Sequence, residues 1–329
     1  MSLVDLLPKR VRRVLDWFYV RIMRPKPPAP EPKVPTDFDD PDVRARRKKL
    51  KFARIKPLLV CPSCRGRLEE RQGSFRCPAC GLSYPIGENS VDFLTADFKK
   101  QYGIVSTDNV SSWGYDEKIL EIVEANPEKM YLDCGAGSRN KFHENVINYE
   151  IVDYPSTDIL GVAEQLPFAD ESLDGVFSVA VLEHVKDPFC CAREIMRVLK
   201  PGGVVFAAVP FLQPVHAYPH HYYNMTTQGL ANLFNGLEIK EEFVPLSLHP
   251  MTTIQWMMAS YRQGLPEAAQ HEFSRMRVKD LLELPPVDDW YRKGVPPIVA
   301  ALAKEKWAEI AGGNCLLARK PDKPSPSAD

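Results

Sequence analysis

The stretch Tyr131–Asn140, "YLDCGAGSRN", decides how this chain is read. Tyr131 to Cys134 look like the end of a strand, which runs into Gly135 and Gly137 and then loses its apolar character. Two nearly adjacent glycines open backbone conformations closed to other residues and leave N–H groups uncovered by side chains. Such a turn either merely needs glycine or is approached by a ligand. The D-x-G-x-G pattern, with its acid at Asp133, does not choose alone.

Its neighbours supply the context. Upstream, "YDEKILEIVEA" has helical periodicity; downstream, "VINYEIVDY", "LDGVFSVAVL" and "VVFAAVP" read as buried strands. Between the last two, "DPFCCAREIMRVLKPGG" reads as a helix, with Asp187 to cap it, Pro188 at its first position and Pro201-Gly202-Gly203 to stop it. "EIKEEFVPLS" and "NCLLARK" are further candidate strands, around a helical segment at about 246–311. This alternation predicts an α/β fold with a mostly parallel sheet and helices on both faces, over residues 110–320. In such sheets ligands bind beyond the carboxyl ends of the strands. Asp153, closing "YEIVDY" about twenty residues after the glycines, is placed to accept hydrogen bonds from ribose hydroxyls; the plainer alternative is a surface acid ending a strand.

Before this domain, Cys61-Pro-Ser-Cys64 and Cys77-Pro-Ala-Cys80 form two C-x-x-C knuckles within a turn-rich module at 57–95. Four thiolates in two pairs complete a tetrahedron around zinc, a structural site with no open position. Cys134, Cys190, Cys191 and Cys315 read most simply as small buried residues.

The formal net charge of −1 conceals an asymmetry: residues 1–56 carry +9 and the remainder −10. At 1–24, Leu7, Val11, Val14, Leu15, Phe18 and Ile22 share one helical face, with basic residues around it. Such a helix suits an anionic membrane, an acidic partner or the protein's own acidic body. "PKPPAPEPKVP" and then "VRARRKKLKFARIK" predict a Pro-rich and then basic linker over 25–56, either a solvated arm or a phosphate contact. The start lacks the marks of a secretory signal, and no run of eighteen apolar residues exists, so a cytoplasmic protein is expected, with peripheral membrane contact open. Residues 321–329, "PDKPSPSAD", read as a disordered tail.

Taken in order, "YLDCGAGSRN", "YEIVDY", "EQLPFADESLDGVF", "SVAVLEHV" and "REIMRVLKPGGVV" resemble class I S-adenosylmethionine-dependent methyltransferases, over roughly Tyr131 to Phe234. The likeness is strongest to those acting on small molecules and lipid-quinone precursors. It implies a Rossmann-like sheet and S-adenosyl-L-methionine as donor. Asp133, Gly135, Ala136 and Gly137 would cradle the donor's amino-acid moiety and Asp153 its ribose. Ala163 and Glu164 would border the adenine, and Ala180 and Val181 would lie near the sulfur. Val162 stands where the family usually has an acid, and Arg139 replaces a third glycine, with only a short helix possible after it. The segment "CPSCRGRLEE…FRCPACGLSYPIGENSVDFL" resembles the zinc ribbon of the tRNA-methyltransferase-activator type, a folding and docking partner for methyltransferases.

Because a sulfonium donor is already activated, the protein's task is alignment, with a base for a hydroxyl or amine acceptor. "PFLQPVHAYPHHYYNMTTQGL" follows the "VVFAAVP" strand and offers His216, His220 and His221 as base candidates. A metal site, without a carboxylate among them, and ordinary loop residues are the alternatives. Residues 250–311, rich in Met, Trp and Tyr, would then be an acceptor-binding lid or plain core helices. Three functions follow: methylation of a small-molecule or lipid-linked acceptor at O or N; methylation of RNA; or a non-catalytic partner that binds donor or docks another methyltransferase.

Overall fold

The computed structural model describes residues 37–104, 114–216, 220–245, 248–285, 292–304 and the single residues 289, 306 and 310. The amphipathic helix at 1–24, most of the Pro-rich linker, Tyr218, the strand "NCLLARK" with Cys315, and the tail lie outside them. The chain divides into two compact units, Met1–Leu212 with His216–His249, and Gln213–Val215 with Pro250–Asp329.

The first unit is built on a six-stranded sheet. Its strands are β4 (Val91–Asp92), β5 (Tyr131–Cys134), β6 (Val146–Glu150), β7 (Ile159–Leu160), β8 (Leu173–Val179) and β9 (Leu199–Ala208), in the order β4-β7-β6-β5-β8-β9. Every pairing is parallel. Buried on both faces, β5 and β6 are fully enclosed, as near-continuous apolar runs in parallel sheets should be. From β5 the chain crosses to β6 on one side and reaches β8 on the other, so a topological switch point falls at the carboxyl end of β5.

A smaller antiparallel sheet, β1 (Glu69–Arg71), β2 (Ser74–Arg76) and β3 (Ser83–Pro85), forms the cysteine module. The module is continuous with the large sheet. Its exit strand β4 pairs with β7, with Val91 N donating to Asp158 O and Phe93 N to Leu160 O. On the entry side, Val60 N donates to Pro167 O and Ala169 N to Leu58 O. Phe75, Tyr84 and Phe93 belong to the same buried cluster as Leu132, Ile147 and Phe168. Each such side chain contributes about 1.5–3 kcal/mol when fully buried, so ribbon and sheet stabilise one another.

The basic segment departs from the expected linker. Pro41–Ile55 is a helix, α1, capped by Asp40 and packed on the body. Lys48 and Lys51 are buried, and Lys51 Nζ lies 2.6 Å from Asp158 Oδ2. Arg54 donates to the carbonyls of Pro127, Glu128, Lys129 and Glu144. The run lacks acids because the acids and carbonyls it pairs with come from elsewhere in the fold. Behind this lies a second difference. No helix at all forms between β5 and β6. Instead, α1 packs along that connection, with Lys51 Nζ 4.6 Å from the Phe142 ring centroid and Phe38 against the same ring.

Other helices follow the sequence more closely: α2 (Ala96–Tyr102), α3 (Glu117–Ala125), α4 (Pro188–Val198) and α5 (Thr227–Leu233). Asp187 caps α4 through Cys190 N at 2.8 Å, with Pro188 first in the helix. The Pro201-Gly202-Gly203 stretch falls inside β9, which starts at Leu199 and shifts register near Gly175. "EIKEEFVPLS" forms no strand among its described residues. Phe243 packs on Phe206 at 5.8 Å, and Lys118 pairs with Glu241, so side chains hold this segment where no ladder does.

In the second unit, α6 (Pro250–Gln263), α7 (Glu267–Arg275), α8 (Val278–Leu282) and α9 (Pro297–Ala300) surround an apolar hollow of about 280 Å³ lined by Met258, Tyr261, Phe273, Leu281, Leu284, Ile298 and Val299. Tyr261 stacks on Phe273 at 5.1 Å and donates its hydroxyl to Ile298 O.

Candidate functional site

The four ribbon cysteines converge. Cys61 Sγ lies 3.6 Å from Cys80 Sγ, and Cys64 Sγ lies 3.4 Å from Cys77 Sγ. Four sulfurs about 2.3 Å from a tetrahedral zinc are spaced by roughly 3.8 Å, so the set fits zinc with little movement. Each knuckle wraps its sulfur by backbone turns: Arg65 N donates to Cys61 O, and Gly81 N to Cys77 O. The ion is structural, closed by four thiolates.

At the switch point, Gly135 and Gly137 both take positive φ, 83° and 61°. Gly135 has a reason of its own. A β-carbon there would stand 2.2 Å from Val181 Cγ2, so the turn needs glycine for packing as well as for conformation. The turn lies at the carboxyl edge of the sheet, where ligands bind in folds of this kind.

Asp133, beneath the turn, is 1% exposed. Its Oδ2 accepts from Tyr115 OH at 2.6 Å and Arg139 Nε at 2.8 Å, and the Arg139 guanidinium lies 4.2 Å from the Tyr115 ring centroid. Arg139, standing where a third glycine was expected, thus returns as the counter-ion of the motif's acid. Asp133 Oδ1 is buried with no hydrogen-bond partner among the described residues, an acceptor left for a ligand's donor group.

Asp153, the acid expected at the ribose, stands beyond the end of β6. β6 ends at Glu150, and Asp153 lies three residues further on, where its Oδ1 accepts from Ser90 Oγ at 2.8 Å. Glu150 is the buried carboxylate that closes β6, with the backbone N–H groups of Ile151 and Gly137 near enough to favour its ionised form. Burial pushes its carboxyl up to about 7, against those N–H groups and with Asp133 nearby adding to the rise. Strand periodicity gave no end signal at Glu150, because Ile151 and Val152 continue the apolar run. Ala163 and Glu164 are buried one strand over, beyond β7. Val162 packs with Leu94, Phe98 and Leu160, and its carbonyl accepts from Tyr149 OH, so it offers no polar side chain.

At the end of β8, Ala180 holds φ 56°, a left-handed conformation uncommon for a residue with a β-carbon. It turns the chain so that Val181 covers Gly135 and Glu183-His184 face the loop after β9. Tyr222 N and Tyr223 N both donate to Glu183 O. His184, His216 and His221 stack edge to face, with centroids 5.3, 5.3 and 4.5 Å apart. His221 is occupied at both ring nitrogens: Nδ1 accepts from His216 N, and Nε2 meets Asn224 Oδ1 at 2.8 Å. His220 stands apart, its ring over Gly103. Glu183 and His184 join this group, with His184 Nε2 3.7 Å from Glu183 Oε1. Burial pushes the Glu183 carboxyl up to about 8, and burial lowers His184 to about 4, helped by the neighbouring His216 and His221.

A parallel α/β sheet with a glycine turn at its switch point, a carboxylate closing the next strand and a four-thiolate ribbon define a class I methyltransferase-type domain joined to a zinc ribbon. Residues 121–207 match the methyltransferase domain family and residues 55–89 the Trm112p-like protein family, so one chain carries both. Over 102 residues it is 32% identical to an uncharacterized methyltransferase of Schizosaccharomyces pombe, covering 31% of this chain and 36% of that protein. Over 73 residues it is 34% identical to cycloartenol-C-24-methyltransferase 1 of Oryza sativa, covering 22% and 21%. The chain therefore spans well under half of either relative. Among solved structures it is similar to the complex between the Haloferax volcanii Trm112 methyltransferase activator and a methyltransferase, at 18% identity, with a TM-score of 0.26 over 38% of this chain and 72% of that one.

Proposed function

We propose that the protein transfers the methyl group of S-adenosyl-L-methionine to an oxygen or nitrogen of a small-molecule or lipid-linked acceptor, in a cytoplasmic setting. The observation that carries the reading is the buried Glu150 closing β6 near Asp133, whose Oδ1 has no hydrogen-bond partner among the described residues. Gly135, Ala136 and Gly137 would supply backbone to the donor's amino-acid end, and Asp133 Oδ1 an acceptor for its ammonium. Glu150, as carboxylate, accepts from both ribose hydroxyls; Asp153, engaged with Ser90, takes the lesser part. Ala163 and Glu164 would border the adenine, and Ala180 and Val181 the sulfur end. When bound, the donor supplies a sulfonium methyl that needs alignment more than activation. A proton from the acceptor would fall to a histidine of the loop after β9, where both ring nitrogens of His221 are already engaged.

The acidic body and the engagement of α1 by its own fold favour a small acceptor over RNA, as a helix that spends Lys48, Lys51 and Arg54 on the body has fewer cations for phosphates. A ribbon sharing one buried cluster with its own sheet also argues against service as a free docking partner. The likeness to a cycloartenol-C-24-methyltransferase, named for methylation at a carbon, supports a lipid acceptor and not the choice of oxygen or nitrogen.

Calorimetric titration of the zinc-loaded protein with S-adenosyl-L-methionine, followed by transfer of labelled methyl into fractionated lipid, metabolite and RNA pools, tests the reading. Binding with label in the lipid or metabolite pool supports it. Label in RNA alone, or a folded protein that binds no donor, overturns it.

A further inference from the structure

Beyond β8 and β9, the carboxylate that the histidine-rich loop lacks in sequence arrives in space. Glu183 is fully buried, and neither of its carboxylate oxygens has a hydrogen-bond partner among the described residues. His184 Nε2 lies 3.7 Å from Glu183 Oε1. A ring nitrogen of His216 completes the group, the three ligand atoms lying within 4.8 Å of one another. A buried carboxylate without partners is costly unless protonated or bound to a cation.

We infer that Glu183, His184 and His216 bind a divalent first-row transition ion, separate from the ribbon zinc and independent of the methyl-transfer reading. One imidazole is already set for it. His184 Nδ1 lies 2.7 Å from the His220 carbonyl, which can only accept, so the proton is on Nδ1 and the lone pair on Nε2 faces Glu183. Metal-binding histidines are held in this way, the second nitrogen donating to a carbonyl that fixes tautomer and ring plane. His221 belongs to the outer shell: its Nδ1 accepts from His216 N, and it packs against the rings of His184 and His216.

Two imidazoles and one carboxylate suit zinc, iron(II) or cobalt(II), and leave a coordination position open, unlike the closed thiolate set. Ligands about 2.0–2.1 Å from a tetrahedral ion are spaced by roughly 3.3 Å. The Glu183–His184 pair at 3.7 Å is near that spacing, and the widest pair closes by no more than about 1.5 Å on binding. The backbone on both sides is anchored for such closure, Glu183 O accepting from Tyr222 and Tyr223.

The test loads the full-length protein with excess zinc, removes loosely held ions and measures metal content. Wild type should retain one ion per chain beyond the one held by the thiolates. Glu183→Gln and His216→Ala should each retain only the thiolate-bound ion, while His220→Ala keeps both. Competition with a chelator should show the second ion held over ~100-fold more weakly in His216→Ala, beyond the loss typical of outer-shell changes. Cobalt titration of unaltered protein gives a check that needs no variant. A second equivalent should add absorption bands lacking thiolate-to-metal charge transfer. Wild type holding a single ion with cobalt only at thiolates overturns the inference and identifies a neutral acid–imidazole pair, as does a second ion retained equally by all variants.

Discussion

Glu150 and Arg139 show how far single residues were legible. Asp133 and both glycines could be read from type and spacing, because a positive-φ turn leaves few alternatives to glycine. The end of β6 could not, since apolar residues run on past it, and only the ladder shows that pairing stops at Glu150. Arg139 looked like a lost glycine and is a counter-ion, an exchange visible only once the chain brings it back to Asp133. Glu150→Gln should weaken S-adenosyl-L-methionine at least about tenfold by calorimetry, the loss typical of a charged hydrogen bond, whereas Asp153→Asn should change affinity less than about threefold, its carboxylate serving Ser90. Burial pushes the Glu150 carboxyl up to about 7, and only its ionised form would accept from both hydroxyls. Donor affinity should therefore rise between about pH 6 and pH 8, and the Gln variant should lose that rise. The linkage for folding has the opposite sign. A carboxyl raised in the folded state favours folding below its unfolded value and loses that contribution as pH climbs through about 7, so the ligand-free protein should melt lower at pH 8 than at pH 6.

Among the elements, those with strong local signals formed as read: β5, β8, α3 and α4 with its Asp187 cap. The misread ones depend on distant partners. α1 looked like a linker because its buried face is basic, a pattern that makes sense only with Asp158, 107 residues away from Lys51. Lys51→Met should destabilise the protein by about 3 kcal/mol in urea unfolding, since it leaves Asp158 buried beside only Lys48 at 3.8 Å. The helix missing between β5 and β6 explains why α1 is needed: the connection has no helical face of its own to cover the sheet, and Phe38, Lys51 and Ile55 supply one. Deleting residues 1–56 would remove that cover, so RNA binding is better tested by charge reversal at the exposed Arg46 and Lys49. If retention on RNA is unchanged by both reversals and by moderate salt, α1 is no phosphate arm.

At the scale of the molecule, the two-part plan of ribbon and α/β sheet was legible because thiol spacing and strand–helix alternation are one-dimensional signals. That the ribbon's exit strand joins the large sheet was not, because β4 is two residues long and pairs with β7 across the chain. Ribbon and sheet should consequently unfold together. Chelation of the thiolate-bound ion should shift the methyltransferase domain's own melting downward, with one transition by tryptophan fluorescence and by far-ultraviolet circular dichroism. Two separated transitions would mean the ribbon folds and melts alone.

The pairing of β4 with β7 also ties the protein to its supply of metal. An edge strand that stays in place only while four sulfurs are gathered behind it makes the catalytic architecture a readout of available zinc. In a cell running short of that ion, methylation capacity would fall through loss of folded molecules, with every donor-binding residue intact and none of them to blame.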